Sequence, residues 1–561
     1  GAMNDRDAQM YWRVIRGGFI IHREHKILDF QWLGLDADEV RGQAWDRAGN
    51  KGSWVTYTFS VTANEDADWV AYVDTGGNDT TGNGTEGNPW ATVTKAVTEA
   101  QSALTSGQVG VIFLSDDQTW AHTATLYSGG DATSRLVRFV RKGGGTNRPS
   151  LTFSNGVTAF TAGKRGSFHV DGVDLDGAHT ASWGDAFSLI RSGGVAADQS
   201  AWNCMVVDCD VTDFGYGLKV DYGLSSADRD SGCNDFVALE NVSFTGTREY
   251  HVYGCHYLNR FLLRSVDLNA HATAFNNPFR TFGLGRSYFE DLVFNTGDVG
   301  AMRCLVGAAS SAADAMRYVT INRLVMYGTN PSLNGVGIAP NSGISGYGLA
   351  HDIRYVDCKL YLAGYSIPKN LAGTNGVSTE RIDYLECSAA NPSAVFMFGA
   401  DATAGNVHSS IRIRNCVGSK QYAGAMFLWI QGPKAGFADD CFEIDGCAYL
   451  WISGNSQPRI FIEADMSRTD LAASILRSSH NHIGQNGTNG VEWTRTAGDG
   501  NTSLATWQSL TGHDSGSSTT LSTQMNWVNS GLVTALNADF HLASDSGPLA
   551  GTGYPLPLGV S

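Results

Sequence analysis

A short pattern that returns about every 30 residues constrains this chain more than any other feature. Between about residues 168 and 450, a strand-like run meets a polar or small residue and then an apolar one. The strings are HVDGVDL, VVDCDV, LENVSF, LRSVDL, FEDLVF, INRLVM, VDCKLY, LECSAA, IRNCVG and IDGCAY. The apolar positions are Val173, Cys209, Val242, Val266, Leu292, Leu324, Cys358, Cys387, Cys416 and Cys447, at intervals of 36, 33, 24, 26, 32, 34, 29, 29 and 31. A constant ladder position with variable spacing marks a solenoid whose length differences are absorbed in loops. Two β-runs flank the bend and a third follows, as in GLKVDY, HVYGCHY, FRTFGL, VGIAP, VFMFG and FLWIQ, giving three strands per coil. Asn, Asp and Gly at the bend tolerate unusual backbone angles. The expected fold is all-β, a right-handed parallel β-helix of about ten or more coils covering residues 66–561.

The pattern also interprets the cysteines. Cys358, Cys387, Cys416 and Cys447 hold one position in successive coils, so they should stack in the interior as small, weakly polar side chains. Coils about 4.8 Å apart allow a disulfide only if the side-chain vectors cooperate. A metal column lacks His or charged companions, and the ten cysteines include no CxxC pair.

Length alone would suggest three or four domains for 561 residues at roughly 150 each, a prior that a repeat array removes. With 39 Lys and Arg against 55 Asp and Glu the net charge is −16, which argues against nucleic acid as a partner. A hydrophobic share of 42% with 67 glycines excludes a disordered chain and disfavours a helical one. No run approaches the roughly 20 apolar residues that span a bilayer. The opening Gly1-Ala2-Met3 reads as a tag-cleavage remnant, so the lack of a leader says nothing about compartment.

Residues 35–62 alternate around the turn at Asp46–Asn50 and resemble the last strands of an immunoglobulin-like module. Residues 1–65 are therefore expected to be part of such a module, with a boundary between Ala63 and Asp68. A strand, a Gly/Asn/Thr loop and a helix starting near Thr92 come next, the helix carrying the stripe Val93, Ala96, Val97, Ala100 and Leu104. This order, with its Asn-Pro-Trp-Ala-Thr and Lys-Ala-Val segments, resembles the N-terminal cap of the pectate-lyase-like β-helix superfamily. The resemblance implies that residues 69–105 plug the open end of the solenoid. Near the other end, Leu504–Gln508, Gly512–Ser515 and Asn537–Leu542 resemble the closing segments of secreted bacterial members, giving a closing region over 480–561. The superfamily includes polysaccharide lyases, glycoside hydrolases, esterases, epimerases and adhesins, so fold alone does not choose a chemistry.

The resemblance places the working surface on the outer face of the strand after the long loop. Alternation from inward Leu218 and Val220 sends Lys219 and Asp221 outward, and the same rule gives His251 and Tyr253, Arg280, and Arg303. This basic stripe suits a uronate-containing glycan cleaved by β-elimination, in which a cation faces the carboxylate and a nearby side chain removes the acidified proton. Arg280 and Arg303 are the expected neutralisers, His251 and Tyr253 the acid and base, and Lys219 the alternative base. The plainer alternative is a solvated face paired with Asp221 and Glu249. Those two carboxylates are also the candidates for a hydrolase, although the motifs of polygalacturonase-type members are absent. A non-catalytic glycan-binding or adhesive role is the third possibility. Phe396, Phe398, Phe427 and Trp429 are expected outward as sugar-stacking subsites, unless the C-terminal segment covers them.

No metal set is expected. His480-Asn481-His482 spells a nuclease-like string in what reads as loop, and Asp74–Asn88 lacks EF-hand order, although the resemblance leaves Ca²⁺ open as a bridge to substrate carboxylates. The expected protein is a secreted, cell-surface or periplasmic monomer acting on a polysaccharide, with no membrane insertion.

Overall fold

The computed structural model describes strands between residues 9 and 58 and then residues 67–519, except 130–134, 164–165, 179–182, 192–202, 223–235, 260, 270–278, 296–305, 308–315, 328–334, 337–347, 362, 368–376, 391–393, 401–406, 421–425, 452–459 and 486–491. Four early strands, Gln9–Arg16, Phe19–Glu24, Glu39–Trp45 and Val55–Thr58, form one antiparallel sheet in which the first lies between the second and third. The Asn537–Leu542 segment falls outside the described residues.

From Trp69–Val73 to Glu492–Thr496 the strands stack as three parallel ladders. The first runs through Ser167–Asp171, the opening halves of Asn203–Thr212 and Phe236–Thr245, and on to Gly348–Val356, Val377–Leu385, His408–Arg414 and Ile475–Ser479. The second follows the bend, as in Lys359–Tyr361, Ser388–Ala390, Val417–Lys420 and Ala448–Trp451. The third includes Asp185–Arg191, Tyr216–Tyr222, Tyr250–Asn259, Ala394–Gly399, Met426–Gln431 and Ile460–Ala464. This is the parallel β-helix the repeat predicts.

The bend between the first and second ladders has one conformation throughout. Gly172, Asp208, Asn241, Ser265, Asp291, Arg323, Asp357, Glu386, Asn415, Gly446 and His480 all have φ between 46° and 66°. A side chain in that left-handed region costs roughly 1–2 kcal/mol, least for Asn and Asp, whose short polar groups bond locally. The residue after each bend turns inward. Val173, Cys209, Val242, Val266, Leu292, Leu324, Cys358, Cys387, Cys416 and Cys447 are all at most 1% exposed. The four stacked cysteines are free thiols, each contacting the carbonyl of a preceding coil at 3.4–3.5 Å. Burial pushes the Cys358 and Cys416 thiols well above their ordinary range.

Helix Val93–Ala103 forms where its stripe predicts. Thr92 caps it by accepting the Lys95 N–H, and Val93, Ala96, Val97 and Ala100 bury against Trp69–Val73 and Val109–Leu114. The preceding loop is tied by its own side chains. Asp74 accepts the Gly76 N–H and a Gln118 amide, Asn78 accepts the Thr80 and Thr81 N–H groups, and Asp79 accepts those of Ala91 and Thr92. These oxygens close turns, so the loop considered for Ca²⁺ has a structural explanation.

At the other end the nuclease-like string proves to be a bend, with strands Ile475–Ser479 and His482–Gln485 on either side of it, where a loop was expected. Asn481 takes the inward place that cysteines hold in the coils before it, and its Oδ1 accepts the Cys447 N–H. Residues 514–518 then pair with this coil as a closing segment. The buried Asp514 carboxylate accepts five hydrogen bonds, from the Trp493 and Trp507 indoles, Ser478, Ser517 and Asn481. The first two residues come from strand Glu492–Thr496 and helix Leu504–Thr511, so one side chain joins four segments.

Candidate functional site

The outer faces of the first and third ladders differ in how their polar groups are satisfied. On the first, Arg354, Asp383, Arg412, Glu443 and Arg477 share one register position in successive coils. Their charges alternate and pair along the row, at 3.0 Å for Arg354–Asp383, 3.2 Å for Arg412–Asp383 and 3.4 Å for Arg477–Glu443. Arg414 adds a 2.7 Å contact to Glu443, and Arg477 another to Asp445. Such a face holds coils together and keeps its charges occupied.

The third ladder carries the predicted stripe. Ser188, Lys219, Tyr253, Arg280 and Val306 share one register position on successive strands. Leu218 and Val220 are buried while Lys219 and Tyr253 are half-exposed, as alternation requires. Arg280 and Asp221 are placed by their backbone register, and Arg303 lies outside the described residues.

His251 is a correction. It is fully buried, its Nδ1 against the Thr247 hydroxyl and its ring 6.2 Å from Phe244. Burial pushes its pKa down to about 3, so it stays neutral and cannot exchange protons with substrate. Alternation fails there because His251 is the second residue of strand Tyr250–Asn259, at the corner where the chain turns in from the second ladder. Its neighbour Gly217 lies in the same corner, where a Cβ would come within 2.4 Å of the Phe244 ring.

Tyr216 and Tyr250, which join Tyr253 around Lys219, were not anticipated. Asp185, Tyr216 and Tyr250 form a second row beside the first. Tyr216 and Tyr250 stack at 5.8 Å, Tyr253 lies 5.6 Å from Tyr216 and 4.8 Å from Tyr250, and the Lys219 ammonium sits 5.1 Å over Tyr216. Lys219 is 3.9 Å from Asp185, and Tyr216 donates its hydroxyl proton to Glu249. Burial, and then this bond to Glu249, raise the Tyr216 pKa, so its phenol remains a donor. Arg248 lies 5.2 Å over Trp183 at the margin. The cluster offers aromatic faces, a cation and carboxylates together, the groups that hold a sugar ring by stacking and by its hydroxyls. Its sequence signal was the recurrence of Tyr at positions 216, 250 and 253 in strands already recognised.

Further along the ladder the aromatic predictions divide. Phe396, Phe398 and Phe427 are at most 1% exposed and belong to the core, which corrects their assignment to the surface. AVFMFG and MFLWIQ have apolar residues in both phases, so nothing in the strings fixes which phase faces water, and a one-residue slip exchanges the faces. Phe427 is a corner residue like His251, stacked at 4.8 Å on Phe461. Trp429 does face outward, in a row with Met397, Glu463 and Arg495. Among the described residues no cluster of His, Cys, Asp and Glu is arranged to hold a metal, and no helix is long and apolar enough to cross a membrane.

No family model matches the chain, and no curated protein matches it. Solved structures with some likeness include the catalytic domain of a GH87 α-1,3-glucanase in complex with nigerose, at 12% identity over 88% of this chain and 86% of that one, TM-score 0.36. The Dettilon tailspike protein shows 13% identity over 76% and 68%, TM-score 0.34. A family 28 exopolygalacturonase of Yersinia enterocolitica shows 9% over 89% and 96%, TM-score 0.28. TM-scores this low carry no argument about function.

Proposed function

We propose that the protein binds a uronate-containing polysaccharide on its third ladder and cleaves it by β-elimination. The supporting observation is the row in which Lys219 and Arg280 occupy the strands on either side of Tyr253, each about 4.8 Å away in backbone spacing. The two cations face the substrate carboxylate, which makes the proton on the adjacent carbon acidic and stabilises the enolate formed when it leaves. Tyr253 takes that proton as phenolate. The enolate collapses to a carbon–carbon double bond, the glycosidic C–O bond breaks, and the leaving oxygen recovers a proton from the phenol. Tyr216 and Tyr250 provide the stacking faces, and Asp221 and Glu249 take sugar hydroxyls. A substrate of this size lies outside cells, so we assign the protein to the secreted or cell-surface fraction.

One arrangement favours glycoside hydrolysis as a second reading. Asp185 lies beside Lys219 and Glu249 accepts the Tyr216 hydroxyl proton, so two carboxylates flank the tyrosines, the number of groups a hydrolase uses.

The test is incubation with polygalacturonate, alginate and a neutral β-glucan, following ultraviolet absorbance of unsaturated ends and, separately, reducing ends. Absorbance that Tyr253→Phe lowers by roughly 100-fold or more supports elimination. Reducing ends without absorbance, lost in Glu249→Gln, favour hydrolysis. Retention with neither product makes the protein a glycan-binding module and overturns both.

A further inference from the structure

Three groups in the outer row of the third ladder stand without partners. Among the described residues, no hydrogen bond or ion pair engages the Trp429 indole N–H, the Glu463 carboxylate or the Arg495 guanidinium, although these residues are successive neighbours in register. The Trp429 Nε1 atom is buried while the residue as a whole remains half-exposed. Glu463 is also half-buried, and that burial outweighs the attraction of Arg495, leaving its pKa above the ordinary carboxylate value. Buried polar atoms in folded proteins nearly always have partners, and each exception calls for an explanation. On the first ladder, by contrast, the charged row is joined by direct ion pairs, Arg354–Asp383, Arg412–Asp383 and Arg414–Glu443 among them.

We propose that Trp429, Glu463 and Arg495 form a second carbohydrate subsite, which holds a ring of the same polymer that passes the tyrosine cluster. A pyranose ring stacked on the half-exposed indole, with Met397 on the neighbouring strand, brings its hydroxyls to the Glu463 carboxylate and a charged or polar substituent to Arg495. The subsite lies on strands that hold the same place in their coils as the strand of Tyr253. Register pairs join Tyr253 to Arg280 and Val306, and Ser366 to Met397 and Trp429, and strand Gly335–Val336, paired with Ala363–Ile367, belongs to the coil between them. The six steps from Tyr253 to Trp429 amount to about 29 Å. No single ring reaches both stations, whereas a chain laid along the solenoid axis does. The inference rests on the glycan reading above and adds that the substrate is a long chain held lengthwise at two separated points.

The experiment measures binding of the whole protein to polygalacturonate, alginate and a neutral β-glucan, and to mono- and disaccharides of the same sugars, by calorimetry. Trp429→Ala and, independently, the exposed Arg495→Ala are expected to weaken polymer binding about tenfold, the equivalent of one stacked ring. Neither should change binding of the disaccharide, or its conversion if it is cleaved at all. Arg495→Ala guards against a folding defect in the tryptophan variant. Equal polymer affinity in both variants and the parent, while product still forms, overturns this subsite and leaves the cleavage reading intact. Loss of retention in the variants of a protein that makes no product supports the subsite and removes the cleavage reading. A set of glycans on which nothing is retained overturns both.

Discussion

At the residue scale the left-handed bends have consequences beyond tracing the chain. Stacking these positions brings Glu386 beside Asp357, and partial burial, followed by repulsion from Asp357, pushes the Glu386 pKa up to about 7. The folded chain thus holds this proton more tightly than the unfolded one, whose carboxyl titrates near 4.5. Stability is therefore lost as pH rises from that value through about 7. Glu386→Gln is expected to raise the melting temperature at pH 8 and leave it unchanged at pH 4, and an equal rise at both would show that the carboxylate is unperturbed. The bend itself was legible because Asp, Asn and Gly recur there, yet Arg323, Glu386 and His480 adopt it too. At those three positions the conformation is imposed by the coils on either side, a tertiary constraint that local propensity does not carry.

At the element scale the inward column predicts chemical inertness. Cys358, Cys387, Cys416 and Cys447 are fully buried, and Cys358 and Cys416 have strongly raised thiol pKa values. Alkylation at pH 8 followed by peptide mass spectrometry should label these four only in denaturant. Labelling in the native state would place the column at the surface. This column was fully legible because one polar-to-apolar step marks it in every coil. The third ladder was legible only in part. Alternation located Lys219 and Tyr253 from the buried Leu218 and Val220, where polar and apolar residues differ clearly. It failed at His251 and Phe427, which sit at corners, and at Phe396 and Phe398, whose strand has no polar residue to set the phase. Glu463 and Arg495 escaped notice because their significance lies in lacking partners, which only an assembled ladder reveals.

At the scale of the whole molecule, four of the buried histidines shape the response to acid. His251 is held near 3 and His122, His408 and His482 near 4, all by burial, against an ordinary value of 6.5. Unfolding lets each bind a proton, so their contribution is complete above pH 6.5 and declines as pH falls toward 4. Urea midpoints measured between pH 7.5 and 4.5 should fall across that interval, and a flat profile would contradict the burial of these rings. The C-terminal closure makes a separate prediction. Asp514→Ala leaves two indole N–H groups and three other donors without their acceptor, and should cost about 3 kcal/mol in chemical denaturation. A loss no larger than that of a surface substitution would show that the carboxylate does not join the end together. Because each coil touches only its neighbours, a nascent chain can wind up progressively as it leaves the ribosome. The knot around Asp514 draws on residues 478 to 517, so its latch engages only after nearly every coil has been laid down. A ribosome that stalls before residue 514 would release a spiral with a raw, adhesive terminus, and quality control of this protein comes down to whether that latch has closed.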